Sequence, residues 1–462
     1  MIDAPSIRFK HRAFADLRSA VLTGDRRESF AVLLAKRNLI GKTEIFTVRD
    51  IRLPRPSDYL ERKTAFLRLG KEFTKIVLAE VVHRMDVDTL IDVHTHPFAI
   101  EAVCFSAVDD HDERCFTQFL GERFENIYYA SIVFSQRRYQ ARIWTPGRNC
   151  PQPVRARIRT QTCLEYVPET GEDWGLPEIA EESLLTSQEA VFNRSALALG
   201  LDAMRTITSG QTVALAGVGG LGSIAAEHLI HLGFHRLVLI DPDTLELSNM
   251  NRFVGATMAQ AQAKVKKVEA VRDHLTAINP EAQIVACALS VEDEQALELM
   301  AGSDWILLST DNHGSRLEVQ RLALRCFVPM IAAGVNITVA NGAIRDMSGE
   351  VIAVRAGDRR CLNCLGRIDL AKIAAESHPD PAVRSLTVQK GYVTGMAVKE
   401  PAVKTLNAIV ASMAVERLLD HYVPDRRDVP ILVYENNDSR AIYEDRMTME
   451  SRNASGCALC DV

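Results

Sequence analysis

The run Gly217-Val-Gly219-Gly220-Leu-Gly222 constrains the second half of this 462-residue chain more than any other stretch. It follows the apolar segment Val213-Ala-Leu-Ala216 and opens a helical segment from Ser223 to Leu232. Glycines allow a turn this tight between strand and helix, and they let phosphate approach the free N–H groups of the helix N-terminus. The next apolar strand, Leu237-Val-Leu-Ile240, ends in Asp241, where a carboxylate can hold ribose hydroxyls. Ile284-Val-Ala286 and Trp305-Ile-Leu-Leu308 are further buried strands, with helical segments between them. That alternation predicts an α/β fold of right-handed βαβ units and a mostly parallel sheet. On these features alone a dehydrogenase fits as well as an ATP-using enzyme.

The residues after Asp241 separate the two. Asp241-Pro-Asp243-Thr-Leu-Glu-Leu-Ser248-Asn249-Met-Asn251-Arg252 resembles the D-x-D…S-N-x-x-R segment of the ubiquitin-activating superfamily, the ThiF/MoeB type. Lys264 lies twelve residues beyond Arg252 in a stretch similar to that family's lysine segment, with Lys266 and Lys267 as close rivals. Ser309-Thr310-Asp311-Asn312 ends a strand where the family has its metal-binding aspartate, and Phe192-Asn193-Arg194 resembles its arginine-bearing first helix. The resemblance spans roughly 188–462. It implies a Rossmann-like domain that uses ATP and Mg²⁺ to adenylate the C-terminal glycine of a ubiquitin-like protein. It also implies that Gly217, Gly219, Gly220, Gly222, Asp241, Asp243 and Asn249 hold the nucleotide. Arg252, Lys264 and a Mg²⁺ on Asp311 would neutralise the charge that builds when a carboxylate meets a triphosphate. Arg194 would serve as an arginine finger, supplied in related dimers by the other subunit, so a homodimer is implied as well.

Cys361-Leu-Asn-Cys364 and Cys457-Ala-Leu-Cys460 form two C-x-x-C pairs. Four thiolates give closed tetrahedral zinc coordination with no position for substrate, which predicts a structural Zn²⁺ tying the end of the chain back to the nucleotide domain. No cysteine occurs between Cys364 and Cys457, where many relatives carry the one that accepts the acyl group. That stretch offers Ser377, Ser385, Thr387 and Thr394, which are poorer nucleophiles near neutral pH, and Cys326 reads as a packed core residue. The adenylate is therefore expected to pass to an outside acceptor, a sulfur donor or a conjugating enzyme's cysteine.

A second constellation lies near the N-terminus. Leu90-Ile-Asp-Val93 is a strand ending in His94-Thr-His96-Pro97, and Ser106-Ala-Val-Asp109 follows. Histidines at i and i+2 share one face of an extended segment, and an aspartate can complete a three-ligand zinc site with one position open to water. This resembles the JAMM (JAB/MPN) metallopeptidase signature over about residues 15–145, although the gap from His96 to Ser106 is slightly longer than usual. The resemblance implies a catalytic Zn²⁺ on His94, His96 and Asp109, Glu28 as general base and Ser106 as oxyanion donor, with Asp110 and His111 as rival ligands.

The expected organisation is a JAMM-type α/β metallopeptidase domain over 1–150, a proline-rich acidic linker over 151–185, and the ThiF/MoeB-type domain over 186–462. Sixty acidic against fifty-four basic residues, a formal charge of −6, give no reason to expect nucleic acid. No apolar run approaches a membrane span or a signal peptide, so a cytoplasmic protein is expected. The leading expectation is a bifunctional enzyme acting twice on the tail of a ubiquitin-like protein: trimming or deconjugation after the glycine, and its adenylation. Sulfur-carrier activation for cofactor synthesis, a tRNA-modifying dehydratase, and a non-catalytic scaffold for ubiquitin-like proteins are the alternatives.

Overall fold

The computed structural model describes residues 4–144, 153–161, 167, 169–170, 187–340, 343–358, 360–376, 380, 401–423, 426, 429–437, 440–446, 448, 457 and 459–460. The chain divides into two units, residues 1–181 and 182–462. Ser377, Ser385, Thr387 and Thr394 lie outside the described residues, as does most of the segment expected to link the domains.

The first unit runs β1 (Ser6–Phe9), α1 (Ala13–Val21), β2 (Phe30–Ile40), β3 (Thr43–Arg52), β4 (Tyr59–Arg62), β5 (Leu67–Leu69), α2 (Lys71–His83), β6 (Thr89–Thr95), α3 (Ala107–Arg123), β7 (Tyr128–Phe134), β8 (Tyr139–Trp144) and β9 (Pro153–Thr160). Seven strands close a barrel in the order β1-β3-β2-β6-β7-β8-β9, with β9 pairing parallel to β1. The first six residues of β2, Phe30 to Ala35, are apolar without a break because both faces of the strand are covered there. Ala31, Leu33 and Ala35 join the cluster that packs Phe14, Leu17 and Val21 of α1. Val32 and Leu34 turn to the other face, against Phe73, Val77 and Val81 of α2 and Leu120 of α3.

Helix α2 begins at Lys71, since Leu67–Leu69 pairs with β4 and Gly70 N–H donates to the Asp58 carbonyl. One expectation changes here. The linker expected from 151 begins with β9, whose buried Ala156 and Ile158 alternate with exposed Arg155 and Arg157. That alternation is a half-buried strand, masked in the sequence by the surrounding prolines.

The second unit begins with α4 (Ser187–Leu199) and α5 (Leu201–Thr208). There follow β10 (Thr212–Ala216), α6 (Gly220–His231), β11 (Arg236–Ile240), α7 (Met258–Gln262), α8 (Lys267–Ile278), β12 (Gln283–Cys287), α9 (Glu294–Gly302), β13 (Trp305–Leu308) and α10 (His313–Cys326). The remainder is β14 (Met330–Ala340), β15 (Ala343–Val354), α11 (Leu370–Glu376), α12 (Lys404–Leu419), β16 (Ile431–Asn436) and β17 (Arg440–Glu444). One eight-stranded sheet has the order β12-β11-β10-β13-β14-β15-β16-β17. It is parallel from β12 to β14 and antiparallel from β14 to β17. The mostly parallel sheet expected from the sequence is thus confined to five strands, since residues 340 and 343 are too close in the chain for a crossover. Strand β10 has β11 on one side and β13 on the other, so the chain reverses direction there. Ligands of open α/β sheets bind in the crevice outside the strand ends at such a point.

Candidate functional site

The glycine run lies in that crevice. Gly217 has φ +91°, and a Cβ there would meet the Ser309 carbonyl and Thr310 nitrogen at 3.0–3.1 Å. A Cβ on Gly222 would lie 2.1 Å from the Gly217 carbonyl oxygen. The neighbour is backbone and cannot step aside, so Gly222→Ala is expected to open the turn. We expect it to cost about 1–3 kcal/mol of stability, measured by thermal unfolding, and to weaken ATP binding measurably.

Three contacts hold the turn. Val218 N–H donates to Asp241 Oδ2 at 2.9 Å, Ser309 Oγ donates to the Gly217 carbonyl at 2.8 Å, and Gly217 N–H donates to the Ile240 carbonyl. Asp241 is buried and also accepts from Asp243 N–H, so it pins the loop, while the Asp243 carboxylate is the exposed one. Burial raises the Asp241 pKa, opposed by Lys267 and the two backbone donors.

The lysine that reaches the aspartates here is not the one singled out from the sequence. Lys264 has φ +53°, a left-handed turn, and its side chain is exposed. The turn carries the following residues back towards Asp241: Lys266 Nζ donates to the Pro242 carbonyl at 2.6 Å, and Lys267 Nζ lies 2.6 Å from Asp243 and 3.7 Å from Asp241. Lys267 starts α8, and the apolar stripe Val268, Val271 and Leu275 could have placed that helix start in advance. Arg252 is half-buried and donates to the Ser248 carbonyl and Asn251 Oδ1. Asn249 Oδ1 accepts from Glu246 N–H, closing the short turn that carries the S-N-x-x-R segment. Asp311 is exposed immediately after β13, and Asn312 caps α10 through Ser315 N–H. Arg194 is exposed on α4, whose Phe192 packs edge-on against His235.

Beyond the Ser309–Asn312 loop is a pocket of about 330 Å³ lined by Arg316, Gly334, Asn336, Ser348, Gly349 and Tyr443, among others. Arg316 Nε donates to the Thr310 carbonyl, which joins this pocket to the nucleotide crevice. No local pattern announces it, because β14, β15 and β17 assemble it from distant segments.

The four cysteines converge as expected. Cys361 and Cys364 Sγ are 3.6 Å apart, Cys364 and Cys460 3.6 Å, and Cys361 and Cys457 3.9 Å. Thiolates about 2.3 Å from a tetrahedral zinc stand roughly 3.8 Å apart, so the set fits zinc. Burial pushes the Cys361 thiol up to about 12 and raises Cys460 as well. Cys457 is lowered to about 7 against burial by the N–H groups of Leu459 and Cys460. A cation is what makes four thiolates so close together tenable, two of them buried. Cys457→Ser with Cys460→Ser is expected to remove one zinc per chain by elemental analysis and to lower Tm by ~10 °C, a loss of a few kcal/mol. Cys326 is fully buried.

In the first unit, Phe30 of β2 pairs with His94 of β6, which brings Glu28 beside the histidines although 66 residues separate them. Glu28 is held by its own backbone: its N–H donates to the Lys63 carbonyl and its carbonyl accepts from Arg62 Nε. His94, His96 and Asp109 present ligand atoms that all lie within 4.8 Å of one another. His94 Nε2 is 3.4 Å from Asp109 Oδ1, and His96 Nε2 is 3.8 Å from Asp109 Oδ2. Ligands about 2.0–2.1 Å from a tetrahedral zinc lie roughly 3.4 Å apart, and the buried His94 Nε2 has no hydrogen-bond partner among the described residues, so these residues fit the metal too.

The electrostatics point the same way. Burial raises the Glu28 carboxyl to about 7, with Asp109 adding to the rise and His94 opposing it. Burial works against the His94 imidazolium, but Asp109, Glu113 and Glu28 hold its pKa above the ordinary value. His96 is lowered by burial and by His94. Asp109 is held below the usual carboxylate range despite burial, by His94 and by Ser106.

Ser106 is the N-cap of α3. Its N–H donates to Asp109 Oδ2 and its Oγ accepts from Asp109 N–H, so it positions the aspartate directly. The rival ligands face elsewhere: Asp110 bonds Arg142, and His111 lies against Cys115. Sequence reasoning missed the buried support behind α3. Glu113 accepts from Ser131 Oγ, Arg142 Nε and Trp144 Nε1 at 2.6–2.9 Å. No local pattern announces partners 18 to 31 residues away.

A family model described as the ThiF family matches residues 192–457, more than half of the chain. Among curated proteins, the chain is 29% identical over 143 residues to the tRNA threonylcarbamoyladenosine dehydratase of Bacillus subtilis (strain 168), covering 31% of this chain and 55% of that protein. It is 27% identical over 212 residues to ubiquitin-like modifier-activating enzyme 5 of Aedes aegypti, covering 43% and 51%. It is 30% identical over 194 residues to the molybdopterin-synthase adenylyltransferase of Escherichia coli (strain K12), covering 42% and 72%. The chain thus spans about half the length of the first two of these relatives.

Proposed function

The chain belongs to the ThiF family, and from that premise we propose that it adenylates the C-terminal glycine of a ubiquitin-like protein with ATP and hydrolyses bonds after that glycine in its N-terminal unit. The observation that carries the first activity is the set of Lys267, Asp241, Asp243 and Arg252 gathered at the N-terminus of α6. The N–H groups of that helix take the phosphates, and Asp243 faces the ribose. Lys267 and Arg252, released from Asp243 and from the Ser248 carbonyl, turn to the triphosphate. Asp311 would hold a Mg²⁺ ion, which would further neutralise the phosphate charge. The glycine carboxylate attacks the α-phosphorus, the bond to the bridging oxygen breaks, and pyrophosphate leaves. The narrow pocket bearing Arg316, with Gly334 and Gly349 in its wall, suits a small-residue tail. Arg194 completes the site from a second copy in a homodimer.

The second activity rests on Glu28, His94, His96 and Asp109. A zinc ion held by His94, His96 and Asp109 would supply an activated water. Glu28, its carboxyl raised to about 7, is placed to hold the proton that hydrolysis must move to the leaving amine. Ser106, exposed at the head of α3, faces the developing oxyanion. Having both activities on one chain replaces a bimolecular encounter with a tethered one.

No cysteine stands between Cys364 and Cys457, so the adenylate passes to an external acceptor, a conjugating enzyme's cysteine or a sulfur donor. The similarity to a molybdopterin-synthase adenylyltransferase favours the sulfur donor as a second reading. Incubating the chain with ATP, labelled pyrophosphate and ubiquitin-like proteins ending in glycine tests the proposal. Exchange that needs the terminal glycine is expected, and no exchange with any such protein would sink the adenylation reading. Thiocarboxylate rather than amide or thioester product would select the sulfur-transfer reading.

A further inference from the structure

Helix α12 lies along α6, and Asn407 sits in its first turn. Asn407 is 4% exposed, and its Oδ1 is buried with no hydrogen-bond partner among the described residues. Leaving a buried acceptor empty is costly, so it calls for a partner that arrives later. The carboxamide points at the glycine run. A Cβ built on Gly220, the first residue of α6, would lie 2.6 Å from Asn407 Nδ2 and 2.8–2.9 Å from the Arg252 side chain. The amide and the arginine stem therefore crowd the same face of one glycine, at the helix end where backbone N–H groups are free. The two segments are also tied: Asn251 Nδ2 donates to the Ala402 carbonyl, just ahead of α12.

We propose that Asn407 is a nucleotide-contacting residue: Nδ2 donates to a phosphate oxygen of ATP at the N-terminus of α6, and Oδ1 accepts from the Arg252 guanidinium once it turns to the phosphates. This rests on the ATP reading above and adds a site residue from a helix nearly 190 residues beyond the glycine run. It also gives Gly220 a reason to be glycine besides the turn itself, since any side chain there would displace both partners.

The test is equilibrium binding of ATP–Mg²⁺ and of adenosine to the full chain, with Asn407→Asp, Asn407→Ser and the unchanged protein compared. Asp keeps the shape but sets a negative charge beside phosphate, while Ser keeps a donor on a shorter arm. Asn407→Asp is expected to weaken ATP at least 30-fold and adenosine less than twofold; Asn407→Ser should weaken ATP about tenfold. ATP affinity unchanged in both variants overturns the proposal. So does an equal loss of ATP and adenosine, because that marks a packing role. Thermal melting of each variant identifies a misfolded sample, and the second variant then decides. If the unchanged protein binds no ATP, it is the adenylation reading that falls.

Discussion

Asp311→Ala is expected to lower glycine-dependent ATP–pyrophosphate exchange by roughly 10³-fold, with Arg252→Ala close behind at about 10²–10³-fold. The reaction drives a carboxylate anion into a triphosphate, and the barrier is largely repulsion. Each fixed positive charge at the reacting phosphates acts in a low-dielectric crevice, where it is worth more than in water. Asp311 would contribute by holding the metal rather than by its own charge. Asp311→Asn should retain a small fraction of the rate, since the amide is a weaker metal ligand of the same shape. Both residues sit at the surface of the crevice: Asp311 is exposed, and among the described residues Arg252 donates to local acceptors. Their removal should therefore leave Tm within about 1–2 °C, near the limit for a surface change. An Arg252→Ala variant with undiminished exchange would remove that residue from the mechanism. Lys267→Ala belongs to the same experiment. It should lose more than Lys264→Ala does, because Lys267 is the lysine that reaches Asp241 and Asp243.

The second large effect is expected at Glu28. Glu28→Gln should slow hydrolysis after the terminal glycine of a ubiquitin-like precursor by about 10²–10⁴-fold while leaving two zinc ions per chain. His94→Ala with His96→Ala should abolish the same activity and reduce zinc to one, the remaining ion being that of the four cysteines. The two results together separate proton transfer from metal loss. Zinc unchanged in the double histidine variant would mean that this constellation holds no metal. The pH profile carries a sign. The carboxyl is raised to about 7 chiefly by burial, and its ionised form is the base. Activity should therefore climb as pH rises towards 7 and level off above it, with a bound cation drawing the midpoint below 7. In the metal-free protein the same raised carboxyl keeps its proton when folded and loses it when unfolded. Glu28 thus contributes stability below its unfolded pKa, and that contribution declines as pH rises towards 7.

The two sites differ in how far the sequence revealed them. Around the glycine run the signal is local: strand, turn and helix follow one another, and Asp241 ends the next strand. The paired cysteines were legible for a similar reason, because C-x-x-C already sets half of a tetrahedron within one turn. In the lysine segment the spacing from Arg252 pointed to Lys264, whereas Lys267 is the residue that reaches Asp241 and Asp243. That spacing cannot show that the chain turns left-handed at Lys264; only the apolar stripe after Lys267 carries the helix start. At the N-terminal site the histidines and Asp109 were visible as a pattern. Their separation from Asp110 and His111 was not, because it depends on Arg142 capturing Asp110 from another strand.

By itself the sequence determined what short-range geometry determines. It marked which segments are strands and helices, where a backbone without Cβ must admit phosphate, and which residues carry charge, thiol or imidazole. Tertiary structure decided which of those groups meet. Barrel closure recruited β9 from a supposed linker, and β2–β6 register set Glu28 against His94. Only the packing of α12 on α6 brought Asn407 to Gly220. These are contacts between residues tens to nearly two hundred positions apart. No local propensity encodes them, because the free energy that selects them comes from burying whole faces of helices and sheets together.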